Sequence, residues 1–185
     1  MAEALKDRKF KALFEMFDPS GQGYLTRDGF RRFTDAVTGL VPSGDVENAT
    51  AMRNAFEKWW EILAQSADGK GDSRIEREEF VSIMRSRVTS PGNLEEAVLA
   101  IADSLMRALD TSKDGVLSKD EYLRIYTHLG IDAEHCSDAF NRLDRDGNGV
   151  ISHDEWRTAL NEFYLSDDES APGNWLLGPL TPTRH

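Results

Sequence analysis

The chain has 185 residues, with 22 Lys and Arg against 33 Asp and Glu, a formal net charge of -11 and a pI of about 4.8. That balance argues against nucleic acid and anionic membrane as partners. The length allows a real core in one domain or in two packed halves. A single cysteine, Cys136, excludes an internal disulfide and a cysteine-based metal set, and is expected to be an inert core thiol. No apolar run approaches the length that spans a bilayer. Met1 to Asp7 leads into no apolar leader core, and Ala2 rules out myristoylation. These features predict a cytoplasmic protein.

In chain order, Leu5, Phe10, Leu13, Phe14 and Phe17 recur at helical spacing and predict a helix over 4–17. Asp18 to Gly29 follows. It has the frame of a twelve-residue loop that binds a hard cation through oxygens at positions 1, 3, 5, 7, 9 and 12. Asp18 stands at position 1, Gly23 at 6 and Leu25 at 8, but Gln22 is at 5 and Gly29 at 12. The closing carboxylate is missing, so this loop is expected to be structural. A helix to Thr38 carries Phe30, Phe33 and Val37. After a break around Pro42, a long helix over 45–64 carries Met52, Phe56, Trp59, Trp60 and Leu63. Those aromatics predict core.

The second loop runs from Asp68 to Glu79. Asp68, Asp72, Glu76 and Glu79 fill positions 1, 5, 9 and 12, and Arg74 offers the position-7 carbonyl. Lys70 stands where position 3 needs an oxygen, and Ser73 where position 6 prefers glycine. Binding here is left open, and weaker. The stretch 88–92, with Pro91, is the expected seam between halves. Asn93 with Glu96 reads as a helix start.

The third and fourth loops are complete. Asp110, Ser112, Asp114, Val116, Ser118 and Glu121 fill the six positions of one. Asp144, Asp146, Asn148, Val150, Ser152 and Glu155 fill those of the other. Gly115 and Gly149 hold position 6. An all-oxygen set suits calcium; zinc and copper fit it poorly. Leu25, Ile75, Leu117 and Ile151 occupy position 8 of the four loops. They predict two short ladders, Leu25 with Ile75 and Leu117 with Ile151. The fold class is therefore all-α: four helix–loop–helix hands in two pairs, over 1–88 and 93–165. A segment over 166–185 is expected to dock. Its Trp175, Leu176, Leu177 and Leu180 are apolar and predicted to fill a groove between the halves, behind a solvated acidic link over 166–170.

The uneven loop spacing, the aromatic helices and the ending Ala171 to Leu180 resemble the sarcoplasmic calcium-binding proteins of invertebrates and the calerythrin-like EF-hand proteins of actinomycetes. The resemblance covers nearly the whole chain. It implies a compact, cytosolic, non-enzymatic calcium or calcium/magnesium buffer with the C-terminal segment packed inside. The ligand roles then fall on the twelve residues of the last two loops. The bacterial relatives usually have three working loops. Two damaged loops here favour two calcium ions, with a third at Asp68, Asp72, Arg74, Glu76 and Glu79 left open. Magnesium is a competitor, and a monomer is expected. A more distant resemblance to coelenterazine-using photoproteins and coelenterazine-binding proteins would make cavity groups of Trp59, Trp60, His128, His135 and Trp156. A sensor that exposes a groove to a target helix is the other alternative. It is opposed by a chain with only five methionines and a tail that competes for the groove. No nucleophile–base arrangement or nucleotide loop suggests an enzyme.

Overall fold

The computed structural model describes residues 4–67, 74–128 and 133–176. In chain order the elements are α1 (Leu5–Phe17), β1 (Tyr24–Leu25), α2 (Arg27–Thr38), α3 (Val46–Ser66), β2 (Ile75–Glu76) and α4 (Arg77–Ile83). Then come α5 (Pro91–Asn93), α6 (Ala100–Leu109), β3 (Val116–Ser118), α7 (Lys119–His128), α8 (Ala133–Leu143), β4 (Val150–Ser152) and α9 (His153–Leu165). The fold is mostly helical, with paired helix–loop–helix units and two antiparallel two-stranded ladders, β1 with β2 and β3 with β4. Leu25 faces Ile75 and Leu117 faces Ile151, the predicted register. All four of these side chains are buried. Position 8 therefore serves twice, as a ladder rung and as a core residue.

The chain divides into two compact units, one of residues 10–104 and the other of residues 1–9 with 105–185. The first unit is built on aromatics. Phe17 makes edge contacts with Phe30, Phe33, Trp59 and Phe80, and Phe14 makes one with Phe80. Trp59 and Trp60 are both buried, because α3 is covered on more than one side. These two tryptophans are core, as their spacing suggests. On α2, Phe30, Thr34, Val37 and Thr38 form the buried stripe. The two buried threonine hydroxyls donate to carbonyls one turn back, on Phe30 and Thr34, so neither is left unsatisfied.

Two features of this unit differ from the sequence reading. The expected seam at 88–92 lies within the unit, because the helical stretches on either side of it, 84–88 and 94–99, both pack on α3. Both stretches are π-helical, a widening that residue spacing does not reveal. The helix start also falls earlier than Asn93. Ser90 occupies the cap position in extended backbone, and Pro91 takes the first turn. Asn93 is already helical, and its side-chain amide donates to the Arg87 carbonyl at 3.0 Å.

The second unit packs α7, α8 and α9 around Tyr122, Phe140, Trp156 and Phe163, all buried, with Cys136 also buried on α8. Tyr122 and Tyr126 share a hydroxyl–hydroxyl bond of 2.7 Å, and the Tyr126 hydroxyl donates to the Leu176 carbonyl. The described end of the tail is a 3-10 turn, Pro172–Trp175, lying on α8 and α9. Arg142 covers the Trp175 ring at 4.1 Å. Leu177 and Leu180 lie outside the described residues. The acidic link is exposed but also paired: Asp167 with Lys6 at 3.4 Å, and Glu169 with Arg8 at 2.5 Å. Lys9, on the same helix as Lys6 and Arg8, is fully buried and donates to the carbonyls of Glu162 and Ser166 at 3.0 and 2.9 Å. It closes the C-terminal end of α9, where carbonyls lack helical partners. Burial lowers its pKa to about 8, against the opposing pull of Asp167, Glu162 and Glu169.

Candidate metal centre

Each complete loop begins where a helix has just ended and closes one turn into the next. Asp144 is the first residue after α8. Its Oδ1 accepts from the Asn148 amide at 3.2 Å and its Oδ2 from the Gly149 amide at 2.8 Å. Asp110 repeats this after α6, with the Asp114 amide at 3.2 Å and the Gly115 amide at 2.9 Å. The loop thus curls around its own first carboxylate. That curl needs left-handed backbone at position 6, which Gly115 (φ 81°) and Gly149 (φ 87°) supply. It needs it at position 4 as well, where Gly147 has φ 67° and Lys113 has φ 59°.

From the other side comes the closing glutamate. Glu155 sits in the first turn of α9, and Ser152 caps that helix by accepting from the Glu155 amide at 3.1 Å. Glu155 Oε1 accepts from the Ser152 amide at 3.0 Å, and Oε2 from the Arg145 amide at 2.6 Å. Glu121 does the same work in the third loop, with the Ser118 amide at 2.9 Å and the Ser112 amide at 3.1 Å. Burial raises the Glu121 pKa, but hydrogen bonds from Ser118 and Ser112 outweigh it and hold the carboxyl below its ordinary value. Glu121 is therefore ionised at neutral pH.

These bonds gather the acids. Asp110, Asp114 and Glu121 each offer one carboxylate oxygen, all within 4.8 Å of one another; Asp144, Asp146 and Glu155 do likewise. Val116 and Val150 sit at the starts of β3 and β4, with Ser118 and Ser152 at their ends. Three converging carboxylates with neutral oxygens nearby fit a hard divalent cation and offer nothing to a soft one.

The first loop is half of such a site. Asp18 accepts from the Gln22 and Gly23 amides at 3.2 and 2.9 Å, with left-handed Gly21 and Gly23 at positions 4 and 6. At position 12, Gly29 brings no carboxylate; its amide donates to Thr26 Oγ1 at 3.1 Å as a plain helix cap. In the second loop, Asp68 and Asp72 lie outside the described residues. Of the remainder, Glu79 Oε2 accepts from the Glu76 amide at 3.4 Å, the same reach Glu155 makes to Ser152. The Arg74 guanidinium lies 4.5 Å over the Tyr24 ring across the first ladder. Of the residues considered as cavity groups, Trp59, Trp60 and Trp156 are buried core. His128 is exposed at the end of α7, and the side chain of His135 lies outside the described residues.

Sequence reasoning missed two residues at this site. Lys113 holds a backbone conformation that glycine holds in the first and last loops. Arg145 is more than a loop residue: its guanidinium reaches Glu162 at 2.5 Å, two turns along α9 from Glu155.

Comparison with known proteins agrees with this geometry. Residues 49–127 match the EF-hand domain pair family and residues 135–163 the EF hand domain. The first match spans the second and third loops, although the ladders join first to second and third to fourth. Calerythrin of Saccharopolyspora erythraea is 26% identical over 169 residues, covering 89% of this chain and 95% of its own. A sarcoplasmic calcium-binding protein of Perinereis vancaurica tetradentata is 29% identical over 176 residues, covering 94% and 97%. A solved Streptomyces coelicolor calcium-binding protein, described as a basis for prokaryotic calcium-mediated regulation, superposes with a TM-score of 0.66 at 27% identity. It covers 88% of this chain and 99% of that one. Among the described residues no helix is long and apolar enough to cross a membrane.

Proposed function

We propose that this chain, which belongs to the calerythrin-like and sarcoplasmic calcium-binding group of EF-hand proteins, holds one calcium ion in each of its last two loops. Calcium binding without catalysis is the function of the family, and the two acidic clusters match two ions. One ion is held by Asp110, Ser112, Asp114, Val116, Ser118 and Glu121, the other by Asp144, Asp146, Asn148, Val150, Ser152 and Glu155. The observation that carries this assignment is the convergence of three carboxylates in each loop, held there by backbone amides. A carboxylate cluster of this kind repels itself; a divalent cation removes the repulsion and ties the two helices of a hand together.

The second loop, with Arg74, Glu76 and Glu79 described and Asp68 and Asp72 outside the described residues, is left open to a third, weaker ion. The first loop binds none. The role is buffering in the cytoplasm. The tail's seat on α8 and α9 supports storage over capture of a target helix, because a seated segment competes for apolar surface. Calorimetric titration with calcium, repeated in millimolar magnesium, tests the assignment. Two ions, or three with one weak, are expected; none or one would overturn it.

A further inference from the structure

The third hand meets the C-terminal segment through the Tyr126 hydroxyl on the Leu176 carbonyl, whereas the last loop reaches it through its closing glutamate and Glu162 on the same helix. Three bonds make the connection. The Arg145 backbone amide donates to Glu155 Oε2 at 2.6 Å, so residue 145 helps to orient the closing carboxylate. The Arg145 guanidinium pairs with Glu162 Oε2 at 2.5 Å. That same Glu162 Oε2 accepts from the Gly173 amide at 2.7 Å. Glu162 lies seven residues beyond Glu155, two turns along the same face of α9. Its own carbonyl receives Lys9, which fixes the backbone that carries it.

The fit at Gly173 is tight. A Cβ there would collide with the Ala159 carbonyl and the Glu162 side chain, so only glycine lets the tail approach α9 this closely. In the third loop the residue equivalent to Arg145 is Thr111, whose hydroxyl turns inward to Glu121 Oε1 at 3.3 Å. The residue seven beyond Glu121 is His128, exposed at the end of α7. The two loops therefore meet the tail by different contacts, and the third loop serves as the comparison for changes at Arg145.

We infer that Arg145 and Glu162 are positioning residues that couple calcium binding at 144–155 to seating of the 171–176 segment, so that each stabilises the other. This rests on the ion assignment proposed above. Calcium needs Glu155 aimed into the loop, and the arrangement that aims it also holds Glu162 where it grips Gly173. Coupling of this kind is reciprocal: the factor by which the seated tail tightens calcium equals the factor by which calcium tightens the tail.

The test is a chelator-buffered calcium titration of the full chain. The amide resonances of Gly115, Gly149 and Gly173 report the third loop, the last loop and the tail. In the wild type, Gly173 exchange with solvent should slow about fivefold or more as calcium fills the last loop, in step with Gly149. R145M keeps the side-chain length and removes the guanidinium. It should weaken the last loop by a similar factor, move the Gly115 midpoint by less than the Gly149 midpoint, and abolish the calcium effect on Gly173. G173A should reproduce the weakening from the tail's end, with the third loop showing that the unit is folded. Wild-type affinity at the last loop in R145M, or Gly173 exchange indifferent to calcium, would overturn the coupling while E155Q still weakens the site. If E155Q itself changes nothing at Gly149, the ion assignment fails, and this inference fails with it.

Discussion

The loop over 18–29 and the loop over 144–155 share the same curl and part company at one residue. Each wraps two backbone amides around its first aspartate, and each puts left-handed glycines at positions 4 and 6. At position 12 one has Gly29 and the other Glu155. The curl therefore belongs to the aspartate and the glycines. The ability to hold an ion comes from the glutamate that reaches back from the next helix. A loop can lose the second property and keep the first, and it still delivers Leu25 to Ile75 on the shared ladder.

The comparison breaks most visibly if the working loop is made like the idle one. E155Q removes the negative charge and one of the two oxygens of the closing side chain and should weaken calcium at that site on the order of a hundredfold, read by calorimetry as one fewer tight ion.

A second contrast lies at the far ends of the exiting helices. α2 ends at Gly39, whose amide donates to the Asp35 and Val37 carbonyls, while α9 ends on the buried ammonium of Lys9. Because burial lowers the Lys9 pKa to about 8 from 10.5, the unfolded chain binds more protons than the folded one between those values. The contribution of Lys9 to stability therefore rises with pH across that window. Measured by denaturant unfolding, wild type should gain roughly 2 kcal/mol relative to K9M between pH 8 and pH 10.

G29E works in the opposite direction. It supplies the missing carboxylate to a loop already curled for it, with the Thr26 hydroxyl 3.2 Å from the new Cβ having to give way. One additional weak ion is expected in the titration, worth about 1 kcal/mol of stability at a calcium concentration several times its Kd. No extra ion would mean that the curl in the first loop does not suffice. The smallest effect is expected from K113G. It relieves a side chain held at φ 59° but loosens the unfolded chain, for a net gain of about 0.5 kcal/mol in calcium-free unfolding.

Loop positions 1, 6, 8 and 12 were legible because each demands a particular residue type: a carboxylate, a glycine, an apolar rung, a glutamate. The two ladders followed from position 8 alone. Position 4 was harder to see. Gly21 and Gly147 hold left-handed backbone there, but so does Lys113, and no rule assigns a lysine to that region. Lys9 reads as one more charge in a helix rich in them. Only the fold shows that it is fully buried, with its tip meeting two carbonyls and lying 5.8 Å from the centre of the Phe163 ring. The two π-helical stretches both pack on α3, and residue spacing does not encode their wider turn. The link from Arg145 to Glu162 and Gly173 joins residues far apart in the chain, and no spacing rule could have paired them.

The β3–β4 ladder sets Val116 opposite Ser152 and Ser118 opposite Val150. Positions 7 and 9 of one loop thus stand directly opposite positions 9 and 7 of the other. Two cation sites share a single strip of backbone, and whichever fills first stiffens half the walls of its twin. Uptake across this pair should be cooperative, a saturation curve steeper than two independent sites would draw.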